Sequence, residues 1–172
     1  MNKYEKVIRD IPDYPKKGVV FKDITPLLAD PELFKDAVSD MSLPFKDVSN
    51  LVIAGVESRG FIFGAAAATF LGVPFIPIRK KGKLPYKTIS ESYELEYGTD
   101  TLEIHEDAIS KGQKVLIFDD LLATGGTVNA TAKLIEKVGG EVVGLTFLIE
   151  LAFLNGKDKV KDYKVHSLIT YN

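Results

Sequence analysis

The segments "LVIAGV" (51–56), "VLIF" (115–118) and "EVVGLTFLI" (141–149) are apolar almost without interruption. A strand with one wet face alternates apolar and polar side chains. A run without alternation must be covered on both faces, which is the condition of a strand inside a parallel sheet. The intervening segments carry helical spacing. Asp30 and Pro31 make an N-cap and first-turn pair, after which Leu33, Phe34, Ala37, Val38 and Met41 share one face. Residues 61–70 form a second helix of small residues stopped by Gly72, and residues 127–138 a third, with Val128, Thr131, Ile135 and Val138 on one side and Gly139–Gly140 at its end. Further strands are expected at 74–80 and 165–170. The alternation predicts an α/β fold, a twisted and mainly parallel sheet flanked by helices.

Three segments depart from that rhythm. Residues 4–9 suit a short amphipathic helix. The stretch "IPDYPKKGVVFKDITPLL" (11–28) holds Pro12, Pro15, Gly18 and Pro26 and is expected to be an ordered loop without regular structure. From Lys80 to Glu106 the chain is first basic ("KKGKLPY") and then alternates on either side of "GTD", the pattern of an antiparallel hairpin. At 172 residues the chain fits one domain, 1–172, and no linker or internal repeat divides it.

Composition narrows the function. A net charge of −2 disfavours general binding to nucleic acid or anionic membrane. The absence of cysteine excludes disulfides and thiolate metal sites. No apolar run reaches the roughly 18 residues of a membrane span, and residues 1–10 are too charged for a secretory signal, so a cytoplasmic protein is expected. His105 and His166 have neither metal-ligand spacing nor a nucleophile partner, and are expected to be structural.

The most informative stretch is "VLIFDDLLATGGT" (115–127). Asp119 and Asp120 are expected at the carboxyl end of a buried strand, where ligands of such sheets bind. Ala123, Thr124, Gly125, Gly126 and Thr127 then lead into a helix whose first N–H groups lack internal partners. With the helix dipole these donors suit a phosphate. The glycines let an anion approach the backbone, and the threonines add hydroxyl donors. No lysine follows the glycines, so this is not a Walker loop. Two carboxylates beside a phosphate cradle repel phosphate but suit sugar hydroxyls or a divalent cation. A ribose 5-phosphate has the required shape.

This stretch resembles the phosphoribosyl pyrophosphate (PRPP) motif of the type I phosphoribosyltransferases, in the long form with two leucines that marks the adenine-specific members. The resemblance extends from "PDYPKKGVVFKDITPLL" to "SLITY". It implies purine salvage: transfer of the phosphoribosyl group from PRPP to adenine, giving AMP and pyrophosphate, with Mg²⁺ held mostly through substrate and water. It also implies a homodimer, an N-terminal hood at about 1–30 and a mobile loop at about 80–106.

Residue by residue, the resemblance places the ribose and its phosphate on Asp119, Asp120 and 123–127. Glu57, Ser58, Arg59 and Gly60 resemble the pyrophosphate loop, with a cis peptide expected between Glu57 and Ser58. Within the basic stretch Arg79 and Lys83 are the expected pyrophosphate ligands ahead of Lys80 and Lys81, with the subunit they serve left open. Val20, Phe21, Lys22 and Leu151 correspond to the adenine site, the backbone of Val20 and Lys22 reading the base edge and Phe21 packing on the ring. The family usually has arginine where this chain has Lys22, a mild change if only the backbone reads the base. Glu96 and Arg59 correspond to catalytic residues, and Ser92, Tyr93 and Tyr97 to parts of the closing loop. The competing readings are a different purine base, a PRPP- or purine-sensing regulator on the same fold, and a receiver-like phosphoacceptor using the acidic pair for Mg²⁺.

Overall fold

The computed structural model describes residues 2–94 and 98–172. The chain begins with a 3₁₀ turn at Glu5–Val7 and then forms two short antiparallel strands, β1 (Arg9–Pro12) and β2 (Val20–Asp23), followed by a four-residue helix, α1 (Thr25–Leu28). This corrects two expectations. Residues 4–9 are not a full helix, because Arg9 already starts β1. The proline-rich stretch is not irregular: Pro15 and Gly18 lie in the turn between the strands, where Asp13 (φ 59°) and Gly18 (φ 88°) take left-handed conformations. Pro12 ends β1 facing Val20, and Pro26 sits in the first turn of α1, where a missing N–H is tolerated.

Helix α2 (Pro31–Ser42) begins as its sequence dictates, with the Asp30 carboxylate accepting from the N–H groups of Glu32 (3.1 Å) and Leu33 (3.0 Å). Strand β3 (Leu51–Val56) is buried at every position. It feeds α3 (Gly60–Leu71), which ends on a left-handed Gly72 at φ 68°. Strand β4 (Phe75–Lys80) follows, then the hairpin β5 (Thr88–Glu94) and β6 (Thr99–His105). Strand β7 (Lys114–Leu122), helix α4 (Gly126–Lys137), strand β8 (Glu141–Leu151), two 3₁₀ turns (Ala152–Leu154 and Gly156–Val160) and strand β9 (Val165–Tyr171) complete the chain.

Seven strands form one sheet in the order β5-β6-β4-β3-β7-β8-β9. The five from β4 to β9 are parallel, and the hairpin is added antiparallel through β6 on β4. The two faces are separable in the sequence of a single strand. Val52, Ala54, Val115 and Ile117 pack with α4, whereas Leu51, Ile53, Leu116 and Phe118 pack with α2 and α3. Helices on both faces explain why these strands carry no polar alternation.

One boundary moves and matters. The strand expected at 115–118 continues to Leu122. Its pairing with β3 stops at Gly55–Phe118, but its pairing with β8 runs on through Leu122–Glu150. Asp119 and Asp120 are therefore past the end of one neighbour and still held by the other, which leaves one side of them open.

Candidate active site

The open side of β7 faces a cleft of about 340 Å³ lined by Glu57, Ser58, Arg59, Lys80, Tyr93, Asp100, Leu102, Asp119, Asp120 and Thr127. Beside it lies a pocket of about 70 Å³ walled by Asp119 and residues 121–128. The first cleft is polyionic and the second is made of small residues and backbone at a helix start. Together they suit a charged ligand with a compact anionic end.

The acidic pair is built tightly. Asp119 Oδ1 accepts the Asp120 N–H at 2.9 Å, and Asp120 Oδ2 lies 2.6 Å from Arg59 Nη2. Burial pushes the Asp119 carboxyl well above its ordinary value, and the neighbouring Asp120 charge adds to this. Burial raises Asp120 as well, opposed by Arg59. Gly60 permits the arrangement: a Cβ there would come within 2.7 Å of the Phe118 carbonyl oxygen and 2.9 Å of Asp119 Oδ1.

The phosphate-sized pocket owes its shape to Gly125, whose φ of 76° puts it in the left-handed region directly before α4. The first bond of the helix, Asn129 N–H to the Gly125 carbonyl, leaves the N–H groups before it without helical partners. Thr127 Oγ1 donates to the Tyr93 hydroxyl at 3.3 Å, and that hydroxyl donates to Asp100 Oδ2 at 3.4 Å. The hairpin is thus linked to the start of α4.

The other expected residues divide. The Glu57–Ser58 peptide is cis, as expected. The Glu57 carboxylate accepts the Lys80 N–H at 2.9 Å and contacts Arg79 Nε and Nη2 at 3.3 Å each. The Lys80 N–H first, and Arg79 after it, hold the Glu57 carboxyl below its ordinary value. Arg79 also donates to the Lys83 carbonyl at 3.1 Å. It is Lys80, ranked behind Arg79 and Lys83 in the sequence, whose side chain stands in the cleft wall, with its ammonium 3.1 Å from Asp100 Oδ2. Gly125 also meets a residue that the sequence did not single out, Gly156. A Cβ on either would collide with backbone of the facing segment. No local signal marks Gly156, since its role is a contact made far along the chain.

Strand β2 reaches the site through Arg59. Its guanidinium carbon lies 4.8 Å from the centre of the Phe21 ring, and Nη1 donates to the Lys22 carbonyl at 3.4 Å. Lys22 directs its ammonium elsewhere, to Asp10 Oδ1 at 2.6 Å and over the Tyr171 ring at 3.8 Å. Val20 is exposed, and the half-buried Leu151 ends β8 opposite Tyr171 in register. Neither histidine lines the cleft: His166 Nε2 is 3.1 Å from the Asp40 carbonyl, and His105 packs edge-on to Tyr86. Glu96 and Tyr97 lie outside the described residues. Among the described residues, no group of three or more histidine, aspartate or glutamate side chains could hold a metal ion.

A doubly wound sheet, an acidic pair on the central strand and a glycine-lined helix start define a class of PRPP-binding transferases. Residues 32–171 match the phosphoribosyl transferase domain. The adenine phosphoribosyltransferase of Thermotoga maritima is 58% identical over 168 residues, 97% of this chain and 96% of its own length. That of Alkaliphilus metalliredigens is 60% identical over 164 residues, 95% and 96% of the two chains. The crystal structure of adenine phosphoribosyltransferase from Thermoanaerobacter pseudethanolicus superimposes with a TM-score of 0.95 at 52% identity, covering 98% of each chain. The Saccharomyces cerevisiae enzyme, solved with an imino-altritol bisphosphate and adenine, gives 0.92 at 38% identity over 96% of each. The chain belongs to the adenine phosphoribosyltransferase family.

Proposed function

We propose that this protein transfers the 5-phosphoribosyl group of PRPP to adenine, releasing AMP and pyrophosphate. The observation that carries the reading is the junction of β7 and α4, where Asp119 and Asp120 stand beside a glycine-lined pocket of about 70 Å³ at a helix start. In this reading Ala123, Thr124, Gly125, Gly126 and Thr127 hold the 5-phosphate on backbone and hydroxyl donors. Asp119 and Asp120 accept from the ribose hydroxyls and bring negative potential to the sugar as its bond to pyrophosphate stretches. The cationic sugar then favours the ionised form of an acid that burial alone disfavours.

In this reading Glu57 and Ser58 line the pyrophosphate end, and Gly60 seats their loop against β7. The cations available there are Lys80, in the cleft wall, and Arg79 and Lys83 behind it. Arg59 sits between the ends, ion-paired to Asp120 and stacked against Phe21, and would orient sugar and base together. The base reads against the backbone of Val20 and Lys22, with Phe21 and Leu151 as apolar walls. The Lys22 side chain, committed to Asp10 and Tyr171, supports the segment while its backbone faces the base. The assignment of Glu96 to the purine's imidazole edge rests on the family resemblance alone.

Mg²⁺ fits this cleft as an ion held mostly through substrate oxygens and water: the wall is acidic, but among the described residues no group of three carboxylates or histidines could ligate it directly. It would supply charge neutralisation to the leaving pyrophosphate. The remaining work is alignment and exclusion of water, which requires no covalent nucleophile. The hairpin, tied through Tyr93 to α4, is positioned to act as the cover. We also assign a homodimer, with the outer face of α3 as its interface. That helix carries no charged residue, and Ile62 (40% exposed) and Phe70 (50%) face outward. Among the described residues no helix is long and apolar enough to cross a membrane. The sensor reading is not favoured, because relatives matching at least 95% of the chain are named as enzymes.

The test is an assay with PRPP, Mg²⁺ and each purine base in turn. AMP from adenine is expected. Absence of product refutes the catalytic reading, and a preference for hypoxanthine refutes the specificity.

A further inference from the structure

Behind the phosphate-sized pocket the chain brings two backbones together without side chains between them. A Cβ on Gly156 would lie 2.1 Å from the Ala123 carbonyl oxygen and 3.0 Å from the Gly125 nitrogen, and one on Gly125 would lie 2.4 Å from the Gly156 carbonyl oxygen. The Asn155–Gly156 segment therefore buttresses the Ala123–Gly125 backbone from behind the pocket, with Asn155 itself left-handed at φ 53°. Something must hold that buttress, because the segment follows the end of β8 and is not part of the sheet.

Two attachments are visible. Val160, at the end of the same 3₁₀ turn, is 1% exposed and packs into the core beneath α4. Lys157, the residue after Gly156, places its ammonium 2.7 Å from Glu150 Oε2. Glu150 is 4% exposed and faces Leu122 in the β7–β8 register, and Leu122 immediately precedes Ala123. A buried carboxylate is costly unless it is paired, and replacing such a pair with apolar groups is often no worse for stability. This pair links the residue after Gly156 to the strand position beside Leu122, so it ties the buttress to the strand that leads into the cradle.

We infer that Glu150 is a positioning residue for the phosphate cradle, acting through Lys157 on the Gly156 buttress that fixes the Ala123–Gly125 backbone. The inference rests on the reading that this pocket takes the 5-phosphate of PRPP. With the pair broken, the buttress and the cradle it backs become loose, and the backbone donors lose their alignment before the ligand arrives. The loss should appear in the capture of phosphorylated sugar and not in recognition of the base.

The experiment compares wild type with Glu150→Gln, Lys157→Gln and the double variant, measuring KM for PRPP and for adenine, kcat, and binding of ribose 5-phosphate by calorimetry. Each single change should raise the KM for PRPP and weaken ribose 5-phosphate by about tenfold, the scale of one lost half-exposed ion pair that anchors the buttress. The KM for adenine should hold, kcat should change much less, and the double variant should be no worse than the weaker single one. Because Lys157 is half exposed, Lys157→Gln keeps the test available if Glu150→Gln fails to fold. Folded variants with unchanged PRPP and ribose 5-phosphate binding, or with independent additive effects, overturn the inference. If wild type itself ignores ribose 5-phosphate, the underlying reading of the pocket has failed instead.

Discussion

Arg59 Nη2 lies 2.6 Å from Asp120 Oδ2 while the same guanidinium stands 4.8 Å from the centre of the Phe21 ring, so one side chain joins the N-terminal arm to the acidic pair. Asp120 is 5% exposed, and Arg59 is its counter-charge. Arg59→Met should destabilise the ligand-free protein by about 2 kcal/mol, below the fully buried case because the Arg59 side chain is 30% exposed. Adding Asp120→Asn should restore most of that loss without restoring activity. Urea unfolding of the three variants checks this, and strictly additive losses would contradict it.

Asp119 gives a pH signature. Its raised carboxyl favours the fold when protonated. Its contribution is complete below the ordinary carboxylate range and is lost as pH rises through the higher folded value. Glu57 has the opposite sign: its lowered carboxyl contributes above the ordinary range and is lost as pH falls through the folded value. Asp119→Asn should therefore raise the Tm of ligand-free protein at pH 7 by a few °C, flatten its decline above the acid range, and impair PRPP use. Thermal melts of both proteins across pH decide it, and equal Tm values at neutral pH would remove the argument.

Gly60 is where α3 meets β7 most closely. Gly60→Ala places a Cβ within 2.7 Å of a backbone carbonyl, so α3 and Asp119 must move apart. The expected cost is about 1–3 kcal/mol of stability together with a fall in kcat/KM. Denaturant titration and steady-state kinetics measure the two, and an unchanged kcat/KM would show that the Asp119 position is not critical.

The proposed substrate should stabilise the fold by mass action. PRPP with Mg²⁺ at about 100 times its Kd should add roughly 2.7 kcal/mol, visible as a rise in Tm. A chelator should remove most of the PRPP effect. A PRPP-induced shift indifferent to chelation would take the metal out of the proposed mechanism.

Glu96→Ala should lower kcat by at least about 10²-fold while changing the PRPP KM little, as expected for a group that handles a proton on the base. Steady-state kinetics with both substrates varied test it, and an unchanged kcat would exclude Glu96 from catalysis.

Much of the scaffold was written locally. Apolar runs without alternation gave β3 and β7, Asp30 with Pro31 gave the start of α2, and Gly72 gave the end of α3. Residues 11–28 read as a loop because Pro12, Pro15, Gly18 and Pro26 carry breaker signals. Pro15 and Gly18 spend those signals in the turn between the strands, and only the pairing of Arg9–Pro12 with Val20–Asp23 makes the flanking residues strands.

The sequence by itself determined the doubly wound core, the acidic pair and the glycine-rich helix start, because periodicity, caps and backbone freedom act over a few neighbouring residues. Tertiary structure alone decided that β7 runs on to Leu122 along β8, that Arg59 faces Asp120 and Phe21, that Lys80 faces the cleft while Arg79 turns to Glu57, and that Gly156 backs the cradle. Each of these is a contact between groups far apart along the chain. Its energy depends on distance and burial, which exist only once the sheet has formed.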